Sequence, residues 1–237
     1  MFPAVDRRRR PILWASLTAG LGIAALLALG TWQVERAAWK DGLQAELDAR
    51  LALGPEPLPA RIDESAPWRH RRATATGTFD HNHEMTVLAP ARDGASGYHV
   101  VTPLVRAGAD AVLVDRGWVP LAARESATRP VGELVVEGIV TVPAGPGPFT
   151  PDNVPGEGAW YWFDLPVMAA AAGVEALPVL LEASAAPVPG GLPEGGQTVV
   201  ALRNEHRGYA ATWYALAAAL AVIYVLFLRR ERRPAPP

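Results

Sequence analysis

Two long apolar runs, one near each end of the chain, constrain the fold of this protein more than any other feature. Neither Ile12 to Val34 nor Tyr209 to Leu228 contains a charged side chain. An α-helix rises about 1.5 Å per residue, so about 20 apolar residues span the hydrocarbon core of a bilayer. The sequence therefore predicts two transmembrane helices, at residues 12–34 and 209–228.

Basic clusters outside each run predict the orientation of these helices. Four arginines precede the first run and four follow the second: Arg7, Arg8, Arg9, Arg10, Arg229, Arg230, Arg232 and Arg233. Such clusters stay on the cytoplasmic side of a membrane. We therefore expect the tails, residues 1–11 and 229–237, to be cytoplasmic. Residues 35–208 would form a periplasmic domain on a bacterial inner membrane.

A cleaved signal peptide is the alternative interpretation of the first run. Signal peptides have a shorter apolar region, followed by a cleavage site built from small residues. Here the run is longer and continues into Gly30-Thr31-Trp32-Gln33, which contains no such site. The sequence favours a retained anchor.

Composition excludes several classes of function for the segment between the runs. Without the terminal clusters, 14 basic and 22 acidic residues remain, and so acidic a domain offers no basic face to nucleic acid. The chain has no cysteine, which excludes disulfides, thiolate metal sites and cysteine nucleophiles. No G-x-S-x-G segment indicates a serine hydrolase.

The segment between the runs reads as a helix followed by many short strands. Glu35 to Leu53 continues the first helix until Gly54-Pro55 stops it, and Met168 to Gly173 is a short helix. Alternating segments separated by glycine or proline predict strands at 71–79, 84–89, 99–105, 111–117, 134–142 and 179–183. The predicted class is an α+β membrane protein, in which two transmembrane helices flank an antiparallel, barrel-like β-rich domain with short helices.

Aromatic and basic residues cluster where the first run leaves the membrane. Trp32, Arg36 and Trp39 stand at i, i+4 and i+7, so they share one helix face. They form either an interfacial aromatic belt with a snorkelling arginine, or an aromatic wall and a cation for a planar anionic ligand.

A second cluster lies at the entry to the second run. His206, Tyr209 and Trp213 also share one helix face. A neutral imidazole at the membrane edge can ligate a metal or a haem iron, and Arg203 and Arg207 suit carboxylates such as haem propionates. The alternative is a polar boundary residue with no ligand. Since two helices that bound one domain can meet, the two clusters together are a candidate pocket.

His81-Asn82-His83 is a third candidate, because two imidazoles at i and i+2 share one face of a strand. Two ligands without a third make a weak metal signal. With Glu84, they support an alternative function, a membrane-anchored metal-dependent periplasmic enzyme.

Several sequence blocks, from the end of the first apolar run to the start of the second, occur in an order that is typical of one protein family. They are Leu29–Gln33, Gly77–Phe79, Gly97–Leu104, Val112–Pro120, Phe149–Asn153, Trp160–Asp164 and Asn204–Trp213. With these blocks, the chain resembles the Surfeit locus one family of cytochrome c oxidase assembly factors from about Leu29 to Leu216. One departure is Glu205, where the family often has a second asparagine.

The resemblance implies a non-enzymatic assembly factor that binds haem a as transient cargo and aids its insertion into the catalytic subunit of the oxidase. His206 would ligate the iron. The macrocycle would pack on Tyr209, Trp213 and Trp32, and the propionates would bind Arg36, Arg203 or Arg207. The implied partners are that catalytic subunit, haem a synthase and the lipid bilayer, without nucleic acid. A scaffold that grips an oxidase subunit without haem is the alternative.

Overall fold

The chain consists of a helical unit and a β-rich domain. The computed structural model describes residues 9–92, 94–198 and 202–231. Residues 1–46 and 201–237 form the helical unit, and residues 47–200 form the domain.

Two long helices build the helical unit. Helix α1 runs over Arg9–Leu51, and helix α3 runs over His206–Glu231. The most apolar window of each has a mean hydropathy of 2.1, and only 6% of each window is buried. A core helix of a soluble protein would be mostly buried, whereas lipid covers an exposed apolar surface. Both helices are long and apolar enough to cross a membrane, in agreement with the predicted pair.

The ends of both helices differ slightly from the predicted bounds. Helix α1 continues past the first apolar run without a break and ends at Leu51, two residues earlier than expected, shortly before Gly54-Pro55. Helix α3 begins at His206, three residues before the apolar run, because polar residues form its first turn. The predicted membrane boundaries themselves stay predictions.

Small residues let α1 and α3 approach closely. Ala19, Ala37, Ala210 and Ala217 are buried. A Cβ added to Gly30 would lie 2.7 Å from Cε1 of Tyr214, so this position has room only for glycine. Such small contacts are typical of helix pairs in membranes, where close packing replaces the hydrophobic effect.

The domain is a sheet that closes on itself. Its strands are β1 Glu56–Pro57, β2 Arg72–Phe79, β3 Met85–Arg92, β4 Ala95–Val105, β5 Ala111–Pro120, β6 Glu133–Thr141 and β7 Ala176–Ala183. They are ordered β1-β2-β6-β7-β5-β4-β3, and β2 also pairs with β4. That additional pairing closes five strands into a barrel and leaves β1 and β3 outside the ring. The barrel-like prediction is confirmed.

Two apolar clusters fill the domain. One lies inside the barrel and includes Leu104, Val114 and Leu181. The other lies on the opposite face of the sheet, where Met168 of helix α2, Leu165–Ala172, packs on Leu113 and Leu180. Asp164 caps the first turn of α2, and Gly173 ends it in a left-handed conformation.

All six predicted strands are present, and the pairings are mostly antiparallel. The exceptions are β1 with β2 and β5 with β7, which are parallel. Periodicity along one strand does not indicate its neighbour's direction. Parallel strands cannot be joined by a tight turn. The long connection between β5 and β7, which includes β6 and α2, allows their parallel pairing.

Candidate functional site

A hydrogen bond between the two long helices marks the candidate site. Nδ1 of His206, at the start of α3, lies 2.6 Å from Oε1 of Gln33 on α1. Gln33 is 9% exposed, although its side chain is polar and it lies where the first apolar run of α1 ends. A buried amide stabilises the helix pair only if it is bonded, so the imidazole and the amide hold each other in place.

The partner of Nδ1 determines which ring nitrogen can bind a ligand. A carbonyl oxygen only accepts, so Nδ1 is the N–H donor in this pair. In neutral His206 the lone pair is then on Nε2. Metal-binding histidines are commonly oriented in this way by a hydrogen bond at the other ring nitrogen.

A second set of contacts ties the segment before His206 to α1. Nδ2 of Asn204 donates to the carbonyl of Ala37 at 3.1 Å and to Oδ1 of Asp41 at 2.7 Å. Arg207 donates to the other Asp41 oxygen at 2.7 Å. We call Asp41, Asn204 and Arg207 the clip. Because Asn204 and Arg207 flank His206 in sequence, their bonds to α1 fix the position of the imidazole against that helix.

Two further bonds extend this attachment. Nζ of Lys40 donates to the carbonyl of Arg203 at 2.9 Å, and the backbone N–H of Leu202 donates to Oε1 of Gln44 at 2.7 Å. Two backbone groups before α3, the carbonyl of Arg203 and the N–H of Leu202, thus have hydrogen-bond partners among the side chains of α1.

The three arginines predicted to hold carboxylates each have a partner within the helical unit. Arg203 donates to Glu205 at 2.7 Å, and Arg207 pairs with Asp41. The guanidinium of Arg36 lies 4.0 Å from the ring centroid of Trp39. The side chains of Arg203 and Arg207 are 83% and 79% exposed. Exposed pairs contribute little, so an anionic ligand can displace these carboxylates.

The predicted aromatic residues remain largely open. Trp32 is 54% exposed and Tyr209 is 56% exposed, whereas Trp213 is half-buried. Trp32 precedes Gln33 by one position, so it points about 100° away from that side chain around α1. The structure therefore brings His206 into contact with α1 and leaves Trp32 and Tyr209 available to a ligand.

Sequence reasoning missed Gln33, Asp41 and Asn204 as parts of the site. The polar side chain of Gln33, next to a run of apolar residues, was a sequence signal for its own role in the site. Asn204 stood in the Asn204–Trp213 block of the family resemblance, whereas Asp41 gave no signal, because its role depends on a contact across 163 positions of the chain.

The histidine pair in the domain differs from the predicted arrangement. His81 and His83 lie in a short 3-10 turn rather than on a strand, so they do not share a strand face. Nε2 of His81 lies 2.7 Å from the carbonyl of Pro130, while Nδ1 of His83 lies 2.6 Å from Asp80, whose pKa this hydrogen bond lowers. Among the described residues, no group of three or more carboxylate or imidazole side chains could hold a metal ion.

Glu84, the third member of that alternative, serves a buried ion-pair network. Arg116 donates to its carboxylate at 2.9 Å, and Arg129 donates at 2.8 Å. The largely buried carboxylate lies between two guanidinium groups, with Nδ1 of His81 at 3.7 Å, so it connects strand β5 to the segment after it.

A second buried pair joins strands β4 and β5. Nδ1 of His99 lies 2.8 Å from Oδ2 of Asp115, although the ring N–H does not point directly at the carboxylate. Burial alone would lower the pKa of His99, but the Asp115 carboxylate outweighs it, and the net pKa is raised.

The chain matches a known protein family over most of its length. The model of the SURF1 family matches residues 21–218. The match extends from α1 through the whole domain into α3, so it includes Gln33, Asp41, Asn204 and His206.

Curated relatives are similar over most of the chain. The SURF1-like protein of Monosiga brevicollis is 37% identical over 96% of this chain and 91% of its own length. The mouse Surfeit locus protein 1 is 38% identical over 89% of this chain and 74% of its own. The human Surfeit locus protein 1 is 39% identical over 83% and 71%, respectively.

Proposed function

The chain belongs to the SURF1 family, and on that premise we propose that it is an assembly factor of cytochrome c oxidase that carries haem a to the catalytic subunit. In this role the protein binds and releases its cargo and catalyses no reaction. The cargo site is the polar end of the helix pair, where His206 contacts Gln33.

The hydrogen bond from Nδ1 of His206 to Oε1 of Gln33 is the observation that carries this proposal. It orients the imidazole and keeps the proton off Nε2, which is the nitrogen that would bind the iron. Oriented, neutral imidazole is the usual protein ligand of haem iron.

The surrounding residues fit a planar anionic molecule. The exposed rings of Trp32 and Tyr209, together with Trp213, offer apolar contact to the macrocycle. Arg203, Arg207 and Arg36 supply guanidinium groups for the two propionates, in exchange for their present partners. The cargo must leave the site again. Weak competition from the Asp41 and Glu205 carboxylates for Arg207 and Arg203 therefore suits a carrier.

The proposed location follows from the two apolar helices and the basic tails. We place the chain in a bacterial inner membrane, with both termini in the cytoplasm and the domain in the periplasm. The proposed partners are the oxidase catalytic subunit, haem a synthase as the donor of the cargo, and the bilayer.

The experiment is purification of the full chain from cells that make haem a, followed by visible spectroscopy. We expect a Soret band that is lost or shifted in His206→Ala and unchanged in His83→Ala, which removes an exposed imidazole of the domain. A wild-type chain without haem, or an unchanged band in His206→Ala, would contradict the proposed ligand.

A scaffold function is the second candidate, and one surface feature favours it. Phe149 is 99% exposed, on a turn closed by hydrogen bonds between Gly147 and Thr150. An ordered, fully exposed aromatic ring is typical of an anchor for another protein. If Phe149→Ser abolishes co-purification of the oxidase subunit while His206→Ala leaves oxidase assembly intact, the scaffold function replaces the carrier function.

A further inference from the structure

Asn204 carries a polar atom that the helix pair leaves unsatisfied. Its Oδ1 is buried and has no hydrogen-bond partner among the described residues. Native proteins satisfy nearly all buried polar atoms, so an unpaired acceptor beside a candidate site needs an explanation.

The orientation of the Asn204 amide is determined by its surroundings. Nδ2 faces two acceptors, the carbonyl of Ala37 and the carboxylate of Asp41. Rotating the amide by half a turn would place Oδ1 against both of these oxygens, which repel it. The unpaired atom is therefore the oxygen, and the chemistry required to satisfy it is a hydrogen-bond donor.

The acceptor lies near the proposed iron ligand. Asn204 contacts Ala37, and His206 contacts Gln33, four residues earlier on the same helix. Four residues correspond to about 6 Å along the helix axis. The side chains on either side of Asn204 in sequence, Arg203 and Glu205, are 83% and 54% exposed.

From this geometry, and resting on the proposed function, we infer that Asn204 is a specificity-determining residue that accepts a hydrogen bond from the hydroxyl of the cargo. Haem a and haem o carry a hydroxyl on their long alkyl substituent, and haem b lacks it. A site built to bond a hydroxyl rejects the analogue without one, because its own polar group is then left unpaired. Asn204 thus selects hydroxyl-bearing haems.

The test compares affinities for haem b and haem o in the full chain, reconstituted in detergent without cargo. The alkyl chain of haem o adds apolar contacts in every variant, so only the change in the Kd ratio between variants reports on the hydroxyl. We expect wild type to prefer haem o, and Asn204→Leu to reduce that preference by about tenfold or more.

Two controls separate hydrogen bonding from a structural effect. If Asn204→Leu only displaces His206, both haems weaken equally and the ratio is unchanged. Asn204→Gln keeps the amide group, so it retains both a donor for the Asp41 carboxylate and an acceptor oxygen at position 204. That variant should recover the preference for haem o.

The outcomes distinguish this inference from the proposed function. A ratio that is equal in wild type and Asn204→Leu, with haem still bound through His206, overturns the inference alone. A chain that binds neither haem, and that also carries no haem a when it is purified from cells that make it, overturns the proposed function and the inference with it.

Discussion

His206 and Gln33 are 173 positions apart in the chain, yet Nδ1 of one lies 2.6 Å from Oε1 of the other. This bond joins the first turn of α3 to the middle of α1, at the point where both helices change from apolar to polar residues. It gives the imidazole a defined orientation.

Gln33→Leu should weaken haem binding without removing the iron ligand. The substitution leaves Nδ1 of His206 without its acceptor, so the ring loses its orientation and its tautomer preference. Loss of such an orienting partner typically costs 10- to 100-fold in metal affinity, and we expect about that increase in the Kd for haem. Titration followed by the Soret band measures it.

Gln33→Glu provides the matched comparison, because the carboxylate still accepts from Nδ1 and should retain most of the affinity. Thr31→Val is the control at a neighbouring position, whose hydroxyl lies 3.2 Å from that of Tyr214 rather than near His206. If Gln33→Leu binds haem as tightly as wild type, the hydrogen bond has no role in the site.

Asp41→Asn should tighten haem binding. The amide oxygen can still accept from Asn204, but Arg207 loses its charged partner and becomes available to a propionate. Exposed ion pairs are worth about 0.2–1 kcal/mol, so we expect the Kd to fall about two- to fivefold. Glu35→Gln removes an exposed negative charge from the same helix and controls for the general electrostatic effect. Equal effects of the two variants would show that the Arg207 pairing is irrelevant.

Gly30→Ala should destabilise the helix pair, although alanine is the better helix former. Its Cβ would lie 2.7 Å from the Tyr214 ring, and such overpacking typically costs about 1–3 kcal/mol. The matched variant is Gly20→Ala, which meets nothing within 4 Å. It should be neutral or stabilising by up to about 1 kcal/mol. Thermal unfolding of α-helical circular dichroism in detergent measures both; a loss of stability in Gly20→Ala as large as that in Gly30→Ala would refute the packing explanation.

The stability of the domain should depend on pH through His99. Asp115 raises the pKa of His99 in the folded chain despite its burial. A group with a raised pKa stabilises fully below its unfolded pKa of about 6.5, and this contribution is lost as pH rises through the folded value. The stability advantage of wild type over His99→Gln should therefore shrink as the pH rises above about 6.5.

His70 supplies a control, because its pKa is shifted in the opposite direction to that of His99. Burial lowers the pKa of His70, so its contribution is lost as pH falls below about 6.5. Urea unfolding of the full chain in detergent, followed by the β-sheet circular dichroism signal, compares wild type with His99→Gln and His70→Gln. A wild-type advantage over His99→Gln that grows with pH would contradict the assigned pair.

The strands and the two helices were predictable because their signals are local. Alternation in Arg72–Phe79 and the apolar content of both long helices depend on neighbouring residues alone. The parallel pairing of β5 with β7 was not predictable, because either direction satisfies the same pattern. The interpretation of His81 and His83 as neighbours on one strand face was wrong for a related reason: the chain turns between β2 and β3, and a turn has no strand faces.

The sequence by itself determined that two apolar helices flank a barrel-like domain along the chain, and that His206, Trp32 and the arginines lie where the apolar runs border the domain. The length of the apolar runs and the periodicity of the strands suffice for these predictions. Only the tertiary structure decided that Gln33 orients His206, that Asp41 and Asn204 hold the start of α3, and that one oxygen of Asn204 stays unpaired. These relationships depend on how closely α1 and α3 pack at Gly30, and therefore on contacts between residues more than 150 positions apart.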